Sequence, residues 1–338
     1  MRVMSGPELA VAVSRAGGLG FLGPSVKTQD MLSDLKQARD LVNTSHAPSP
    51  SPFPSISPAE LLPIGVGFQL WSDDLDVAVS AIAQYKPCAA WLYAPRHGQT
   101  DLNTWSVRIR SASPQTQVWV QIGTVAEAEA LVAVGSERPD VVVVQGAEAG
   151  GHGRASDGLG LTSLFPEVAD ALERAGSHIP LFAAGGISDA RGVLAALAMG
   201  ASGAVMGTRF LASREARISA GYQAEIVRAR EGAVSTTRTL LYNHLRGTFG
   251  WPREYSPRTI INRSFVEFQE GKPFEALKKL HDEALKAGDA GWGFEGRLAT
   301  YAGASVGLVN DVRGAEEIVF DCREGVVKRF GYLGEPEV

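Results

Sequence analysis

Seven short apolar runs alternate with amphipathic stretches along the first 208 residues of this 338-residue chain. In the run DVVVVQG, at 140–146, four valines follow one another without polar interruption. Such a run is typical of a parallel strand that is buried on both faces. The other runs lie at 18–23, 62–68, 88–93, 117–123, 180–186 and 202–208. Strands that alternate with helices predict an α/β fold, here a TIM (β/α)8-type barrel with one strand fewer than the eight it needs.

The pattern changes after residue 208. The segments REARISAGYQAEIVRAREG and FVEFQEGKPFEALKKLHDEALKAG predict helices. We therefore expect a barrel over residues 1–212, a smaller, mainly helical lid or substrate domain over 213–310, and a C-terminal tail over 311–338 that packs back on the barrel. The Pro- and Ser-rich stretch at 47–58 is expected to form a surface loop.

Composition excludes several classes of function. The net charge of −5, without a basic cluster, gives no reason to expect a nucleic-acid partner. No apolar run approaches the ~20 residues that span a membrane, and the N-terminus has no signal-peptide core, so we expect a cytoplasmic protein. Two cysteines and no HxH, HExxH or CxxC spacing predict no metal site, and no GxSxG elbow is present.

Three of the predicted strands end in glycine-bearing turns: QGAEAGGHG, AAGGIS and VMGTRF. In a parallel barrel the carboxyl ends of the strands share the face that carries the active site. Glycine there lets backbone N–H groups approach a ligand, and such groups bind phosphate well. Two successive turns, Gly185–Gly186 and Gly207–Thr208, therefore predict a phosphate site, although each could also be a tight turn only.

His152 differs from the other five histidines because it follows a predicted buried strand and lies between Gly151 and Gly153. An imidazole titrates near neutral pH, so we expect His152 to act as a general base. Glu148 in the same loop is an alternative base, but a loop carboxylate is as often solvated or bonded to backbone amides.

Gln121 and Gln145 are polar residues at the ends of otherwise apolar strands. This position favours hydrogen bonding to a ligand, with a satisfied core amide as the other interpretation.

Five longer motifs follow one another along the chain: GPELAVAVSRAGGLGFLG, VQIGTVAEAEALVAVG, DVVVVQGAEAGGHG, PLFAAGGISDARGVLAALAMGASGAVMGTRFL and YAGASVGLVNDV. They closely resemble the motifs of nitronate monooxygenases, formerly called 2-nitropropane dioxygenases. The resemblance covers nearly the whole chain in the order of the family, and QGAEAGGH and GGI…MGT are its specific parts.

The resemblance implies a TIM barrel that binds FMN non-covalently. It places Gln145 and Gly150 on the flavin, and Gly186, Met206, Gly207 and Thr208 around its phosphate. It also makes His152 the catalytic base and Tyr301 a weaker candidate for closing over the flavin. The full set expected to bind the cofactor is Gln121, Gln145, Gly150, Gly151, Gly185, Gly186, Met206, Gly207 and Thr208.

The implied reaction is the oxidation of an alkyl nitronate. The flavin takes an electron or hydride equivalent from the nitronate carbon, O2 reoxidises the flavin, and a carbonyl compound and nitrite leave. His152 would remove the Cα proton where a neutral nitroalkane is the substrate, and it would orient the nitro group. The expected partners are thus a nitronate or nitroalkane and O2. The oligomeric state is left open, with a homodimer as one alternative.

Two departures from the family pattern stand out. The family begins with a strand that ends in Ala-Pro-Met, and Met1 stands where that methionine would be, so we expect the first barrel strand to be absent. Gly67, in the run at 62–68, replaces an asparagine that touches the flavin in many relatives.

Three other functions remain open. An NAD(P)H-dependent FMN reductase, similar to enoyl-acyl-carrier-protein or quinone reductases, would share the histidine loop. A dehydrogenase of the inosine-monophosphate type would need a nucleophilic cysteine in a loop, whereas Cys88 lies in a predicted strand and Cys322 near the C-terminus. A non-catalytic barrel descendant would bind no flavin.

Overall fold

The computed structural model describes residues 2–44 and 61–334, so the predicted loop at 47–58 and Met1 lie outside the described residues. Ten strands are present in these ranges. They are β1 (Phe21–Leu22), β2 (Leu62–Gln69), β3 (Pro87–Tyr93), β4 (Gln117–Ile122), β5 (Val141–Gln145), β6 (Gly151–Arg154), β7 (Leu181–Ala184), β8 (Gly203–Val205), β9 (Thr236–Arg238) and β10 (Tyr255–Ile260).

Fourteen α-helices and two 3-10 helices connect these strands within the described ranges. The helices that alternate with the first strands are α1 (Pro7–Arg15), α2 (Asp30–Thr44), α3 (Leu75–Tyr85), α4 (Gln99–Ala112), α5 (Val125–Val132), α6 (Leu161–Arg174) and α7 (Ala190–Ala198). The later helices are α8 (Thr208–Leu211), α9 (Ala220–Arg228), α10 (Gly232–Ser235), α11 (Leu241–Leu245), α12 (Arg263–Gln269), α13 (Phe274–Lys286) and α14 (Ala315–Gly334). The 3-10 helices are Gly288–Gly291 and Ala304–Leu308.

Seven strands form one parallel sheet in the order β1-β2-β3-β4-β5-β7-β8. All seven predicted apolar runs are strands of this sheet, and the prediction of a TIM-type α/β fold with seven strands is confirmed. The sheet curls into an open barrel in which β1 and β8 are the end strands. Helix α14 packs against both α7 and α1, so it covers the outside between the two ends of the sheet.

The strands alternate between two apolar environments. Residues of one set, such as Val142 and Val144, pack against the surrounding helices. Residues of the other set face the inside of the barrel, where four aromatic rings pack against one another: Phe21, Trp91, Trp119 and Phe182. Gly65 makes room for one of them, because a Cβ there would lie 2.1 Å from the ring of Phe21.

A second, three-stranded antiparallel sheet has the order β6-β10-β9. His152 lies in β6, opposite Pro257 of β10, and Arg258 of β10 lies opposite Arg238 of β9. The sequence analysis placed residues 151–154 in a loop and predicted no strand after residue 208. Both strand partners of this sheet lie about a hundred residues beyond β6 in the chain, and none of its strands has the apolar run that marks a buried strand.

Candidate active site

The inner faces of four neighbouring strands each end in a polar side chain at the carboxyl edge of the barrel sheet. Side chains two residues apart in a strand share a face, and Trp91, Trp119 and Val143 face the interior. The residues that follow them on that face in β3, β4 and β5, together with the last residue of β2, are Tyr93, Gln121, Gln145 and Gln69.

Three of these side chains form hydrogen bonds, one with Trp91 and two with the backbone of the strand that carries His152. Trp91 Nε1 donates to Gln121 Oε1 over 3.1 Å. The hydroxyl of Tyr93 donates to the backbone carbonyl of His152 at 2.8 Å, and Gln145 Nε2 reaches the same carbonyl at 3.4 Å. The barrel edge therefore fixes the backbone that carries His152.

The sequence analysis named Gln121 and Gln145 but missed Tyr93 and Gln69. Gln69 Oε1 is a buried acceptor without a protein partner in the described part of the chain. The two-residue alternation of inner-face positions is the signal that could have identified both residues.

The turns after β7 and β8 leave backbone donors without acceptors. Gly185 and Gly186 adopt φ values of +100° and +74°, which favour glycine. Within residues 2–44 and 61–334, no protein acceptor faces the N–H groups of Gly186, Gly207 or Thr208. The Thr208 hydroxyl accepts from Gly303 N at 2.9 Å and keeps its own proton to donate. This donor set fits a phosphate group.

The loop that precedes His152 is closely packed at the same edge. A Cβ at Gly150 would lie 2.4 Å from Gly303 N, and one at Gly185 would lie 3.0 Å from the carbonyl oxygen of Gly146. Gly151 has a φ of +69° and open space beside its Cα. The chain thus needs glycine at these positions for close packing or for backbone conformation.

Met206 is placed differently from the other residues predicted to bind the cofactor. Its side chain packs with the outer core under the helices, and its sulfur lies 3.8 Å from Cys322 Sγ in α14. Its side chain is therefore directed to the outer core, and its backbone is the part that adjoins the bare amides of Gly207 and Thr208.

Glu148, the alternative base, caps a helix. Both of its carboxylate oxygens lie 3.0 Å from the N–H of Leu161, the first residue of α6. This is the backbone-bonded role that the sequence analysis set against a role in catalysis.

The imidazole of His152 contacts residues that sequence reasoning did not identify. The indole of Trp251 stacks on it with ring centroids 3.5 Å apart, and Asn243 Nδ2 lies 2.9 Å from His152 Nε2. The ring of Tyr301 lies 6.1 Å away. Trp251 and Asn243 lie far along the chain in a segment with no recognisable motif, so no sequence signal marked them.

The pKa of His152 is lowered from 6.5 to about 3. Burial is the largest cause, and the positive charges of Arg238, Arg2 and Arg246 add to it. The imidazole is therefore neutral near neutral pH, in a field that favours an anionic ligand.

Two arginines of the three-stranded sheet donate hydrogen bonds to the loop that precedes His152. Arg238 donates to the carbonyls of Ala147 at 3.1 Å and Ala149 at 3.2 Å, and Arg258 donates to the Ala147 carbonyl at 3.2 Å. Burial, followed by repulsion from Arg258, lowers the pKa of Arg238 to about 10. Arg238 Nε is a buried donor without a protein acceptor in the described ranges.

Metal-binding clusters and membrane-spanning helices are both absent from the described residues. Residues 2–44 and 61–334 contain no group of three or more histidine, cysteine or acidic side chains that could hold a metal ion. Over the same residues, no helix has the length and apolar character that crossing a membrane requires.

Comparisons with known proteins identify the family of the chain. Residues 99–319 match the family model described as nitronate monooxygenase. The chain is 59% identical over 324 residues to "Nitronate monooxygenase npaC" of Metarhizium robertsii, covering 96% of this chain and 88% of that protein.

Two solved structures share the fold. That of FabK from Thermotoga maritima has a TM-score of 0.71 and 26% identity, and covers 98% of this chain and 91% of its own. That of nitroalkane oxidase from Streptomyces ansochromogenes has a TM-score of 0.73 and 24% identity, and covers 98% and 95%. The family-model match and the 59% identity lead to one assignment: the chain belongs to the nitronate monooxygenase family of flavin-dependent oxidoreductases.

Proposed function

We propose that the enzyme oxidises alkyl nitronates with O2 to carbonyl compounds and nitrite, with FMN as its cofactor, and accepts nitroalkanes once their Cα proton is removed. The observation that carries this proposal is the set of N–H groups at Gly186, Gly207 and Thr208, which have no protein acceptor among the described residues. They lie at the carboxyl edge of the barrel sheet, where Tyr93 and Gln145 bind the backbone carbonyl of His152. Membership of the family supports the reaction class.

The residues proposed to hold FMN lie at the carboxyl edge of the barrel sheet. The amides of Gly186, Gly207 and Thr208 would bind the phosphate, and the side chains of Gln121 and Gln145 would contact the ring system. The remaining candidates are Gly150, Gly151, Gly185 and the backbone of Met206. When bound, the flavin supplies the electron transfer from the nitronate to O2.

The chain's own residues would bind the anionic substrate and exclude water. His152 is neutral near neutral pH, so its ring has one N–H that can donate a hydrogen bond and one lone pair that can accept a hydrogen bond or a proton. Arg238 and Arg246 contribute the positive field around it, and Trp251 covers one face of its ring. The expected lid or substrate domain, 213–310, would thus contribute the substrate side of the site.

An aerobic assay on ethylnitronate tests the reaction. The purified, FMN-loaded protein should consume O2 and release nitrite together with acetaldehyde, and free FMN at the same concentration is the control. A flavin-loaded protein that releases no nitrite from ethylnitronate would overturn the proposed function.

A further inference from the structure

A series of hydrogen bonds links the side chains of Arg246, Tyr301 and Asn243 to the imidazole of His152. Asn243 is almost fully buried in α11, and its Nδ2 lies 2.9 Å from His152 Nε2. Its Oδ1 lies 3.3 Å from the hydroxyl of Tyr301. Arg246 Nη1 in turn donates to that hydroxyl oxygen at 2.9 Å.

The direction of each hydrogen bond in this series follows from its first donor, Arg246. A guanidinium only donates, so the hydroxyl oxygen of Tyr301 accepts from Arg246. The one hydroxyl proton of Tyr301 is then left for Asn243 Oδ1. With its oxygen committed to Tyr301, the Asn243 side chain turns its N–H towards His152 Nε2, which must accept.

A neutral imidazole has one N–H and one lone pair. Because Nε2 of His152 accepts from Asn243, the proton lies on Nδ1. Nδ1 forms no hydrogen bond with residues 2–44 or 61–334, and it is not among the fully buried unpartnered atoms. The ring therefore presents an N–H donor on its free side and turns its lone pair to Asn243.

We propose that Asn243 is a positioning residue that holds His152 as an Nδ1–H donor, so that the enzyme selects the anionic nitronate over the neutral nitroalkane. This inference rests on the proposed function. An N–H donor stabilises a nitronate oxygen, whereas removal of a Cα proton requires the lone pair that Asn243 occupies. The three arginines Arg2, Arg238 and Arg246 favour the anion as well.

The variant Asn243→Asp reverses this arrangement. The introduced carboxylate only accepts when ionised, so it draws the imidazole proton to Nε2 and leaves the lone pair on Nδ1. Nδ1 can then take the Cα proton of a nitroalkane, which leaves the carbon as the nitronate and the ring as an imidazolium that still donates from Nε2. The matched control is Asn103→Asp, because Asn103 Oδ1 accepts hydrogen bonds on outer helix α4 and a carboxylate there can do the same.

The direct readout is NMR of the imidazole nitrogens of His152 in the FMN-loaded protein. The wild type and Asn103→Asp should show a protonated Nδ1 and an unprotonated Nε2, and Asn243→Asp should show the reverse. A wild-type enzyme with protonated Nε2 would overturn the inference, whatever its activity, so this arm is independent of the proposed reaction.

The kinetic readout is the ratio of kcat/KM for ethylnitronate to kcat/KM for nitroethane. This ratio should fall at least about tenfold in Asn243→Asp and stay unchanged in Asn103→Asp. An inverted tautomer with an unchanged ratio would overturn the role in selectivity. A wild-type enzyme that oxidises neither compound would contradict the proposed function. The NMR measurement would still decide which tautomer His152 adopts.

Discussion

The indole of Trp251 lies parallel to the imidazole of His152, with an angle of 6° between the rings and 3.5 Å between their centroids. Trp251 also lies 4.9 Å from Trp71 and 6.4 Å from Tyr93, centroid to centroid, so it belongs to an aromatic cluster at the barrel mouth. It follows Gly250, whose φ of +87° turns the chain at this point. The stack shields one face of the imidazole from water.

Trp251→Ala should expose this face and raise the pKa of His152 from about 3 towards 6.5, because burial is the largest cause of the lowered value. Trp251→Phe keeps an aromatic face and is the matched variant, expected to differ little from the wild type. An NMR titration of the imidazole measures the effect. A pKa in Trp251→Ala equal to that of the wild type would show that the stack does not control burial.

His152→Asn should keep its flavin and lose about 10²–10⁴-fold in kcat/KM, because the shorter amide side chain cannot place an N–H donor where the imidazole ring does. Steady-state assays on ethylnitronate and nitroethane measure the loss. His178→Asn, at an exposed histidine, is the control. Turnover in His152→Asn equal to that in His178→Asn would remove the imidazole from the mechanism.

The lowered pKa of His152 also predicts how stability depends on pH. The unfolded chain binds a proton at this histidine below about pH 6.5, whereas the folded chain does so only near its pKa of about 3. Acid therefore favours unfolding. The free energy of unfolding that the neutral His152 contributes is lost as the pH falls from 6.5 towards 3.

Urea unfolding of the wild type and His152→Asn at about pH 7 and about pH 5 checks the sign. The wild type should lose more unfolding free energy than the variant on acidification, with a slope of at most about 1.4 kcal/mol per pH unit from this group. Equal losses in the two proteins would contradict a buried, neutral His152.

Gly186→Ala should weaken FMN binding by at least about tenfold. The new Cβ would lie 3.1 Å from Glu148 Cβ, and the φ of +74° is strained for alanine by ~1–2 kcal/mol. Gly176→Ala is the control, since Gly176 has a similar φ of +65° and open space beside it. Both variants share the backbone strain, so equal FMN affinities, measured by fluorescence titration, would mean that the turn after β7 does not hold the phosphate.

Anaerobic mixing with a nicotinamide separates the proposed oxidase from a flavin reductase. The flavin of the loaded protein should keep its colour with NADH or NADPH and lose it with ethylnitronate. Stopped-flow absorbance follows both reactions. Rapid bleaching by NADH at a rate above that with nitronate would favour the reductase.

The barrel strands and their glycine turns were predictable because each depends on a local pattern. Runs such as 140–146 are apolar enough to identify a buried strand, and the glycines at Gly185–Gly186 and Gly207 follow directly on such runs. The inner-face alternation could have added Tyr93 and Gln69.

The surroundings of His152 could not be predicted in the same way. Strand β6 has two glycines in four residues and pairs with β10, about a hundred residues later. Asn243 and Trp251 reach the imidazole only because this long-range pairing brings the later segment over the barrel mouth. Contacts of this kind leave no periodic mark in a sequence.

Binding of FMN by the purified protein, followed by anaerobic addition of ethylnitronate, tests the central claim most directly. We expect equimolar flavin to remain bound through gel filtration, and its visible absorbance to disappear when the nitronate is added. A folded protein that emerges colourless after incubation with FMN, or one whose bound flavin is unchanged by the nitronate, would contradict the account.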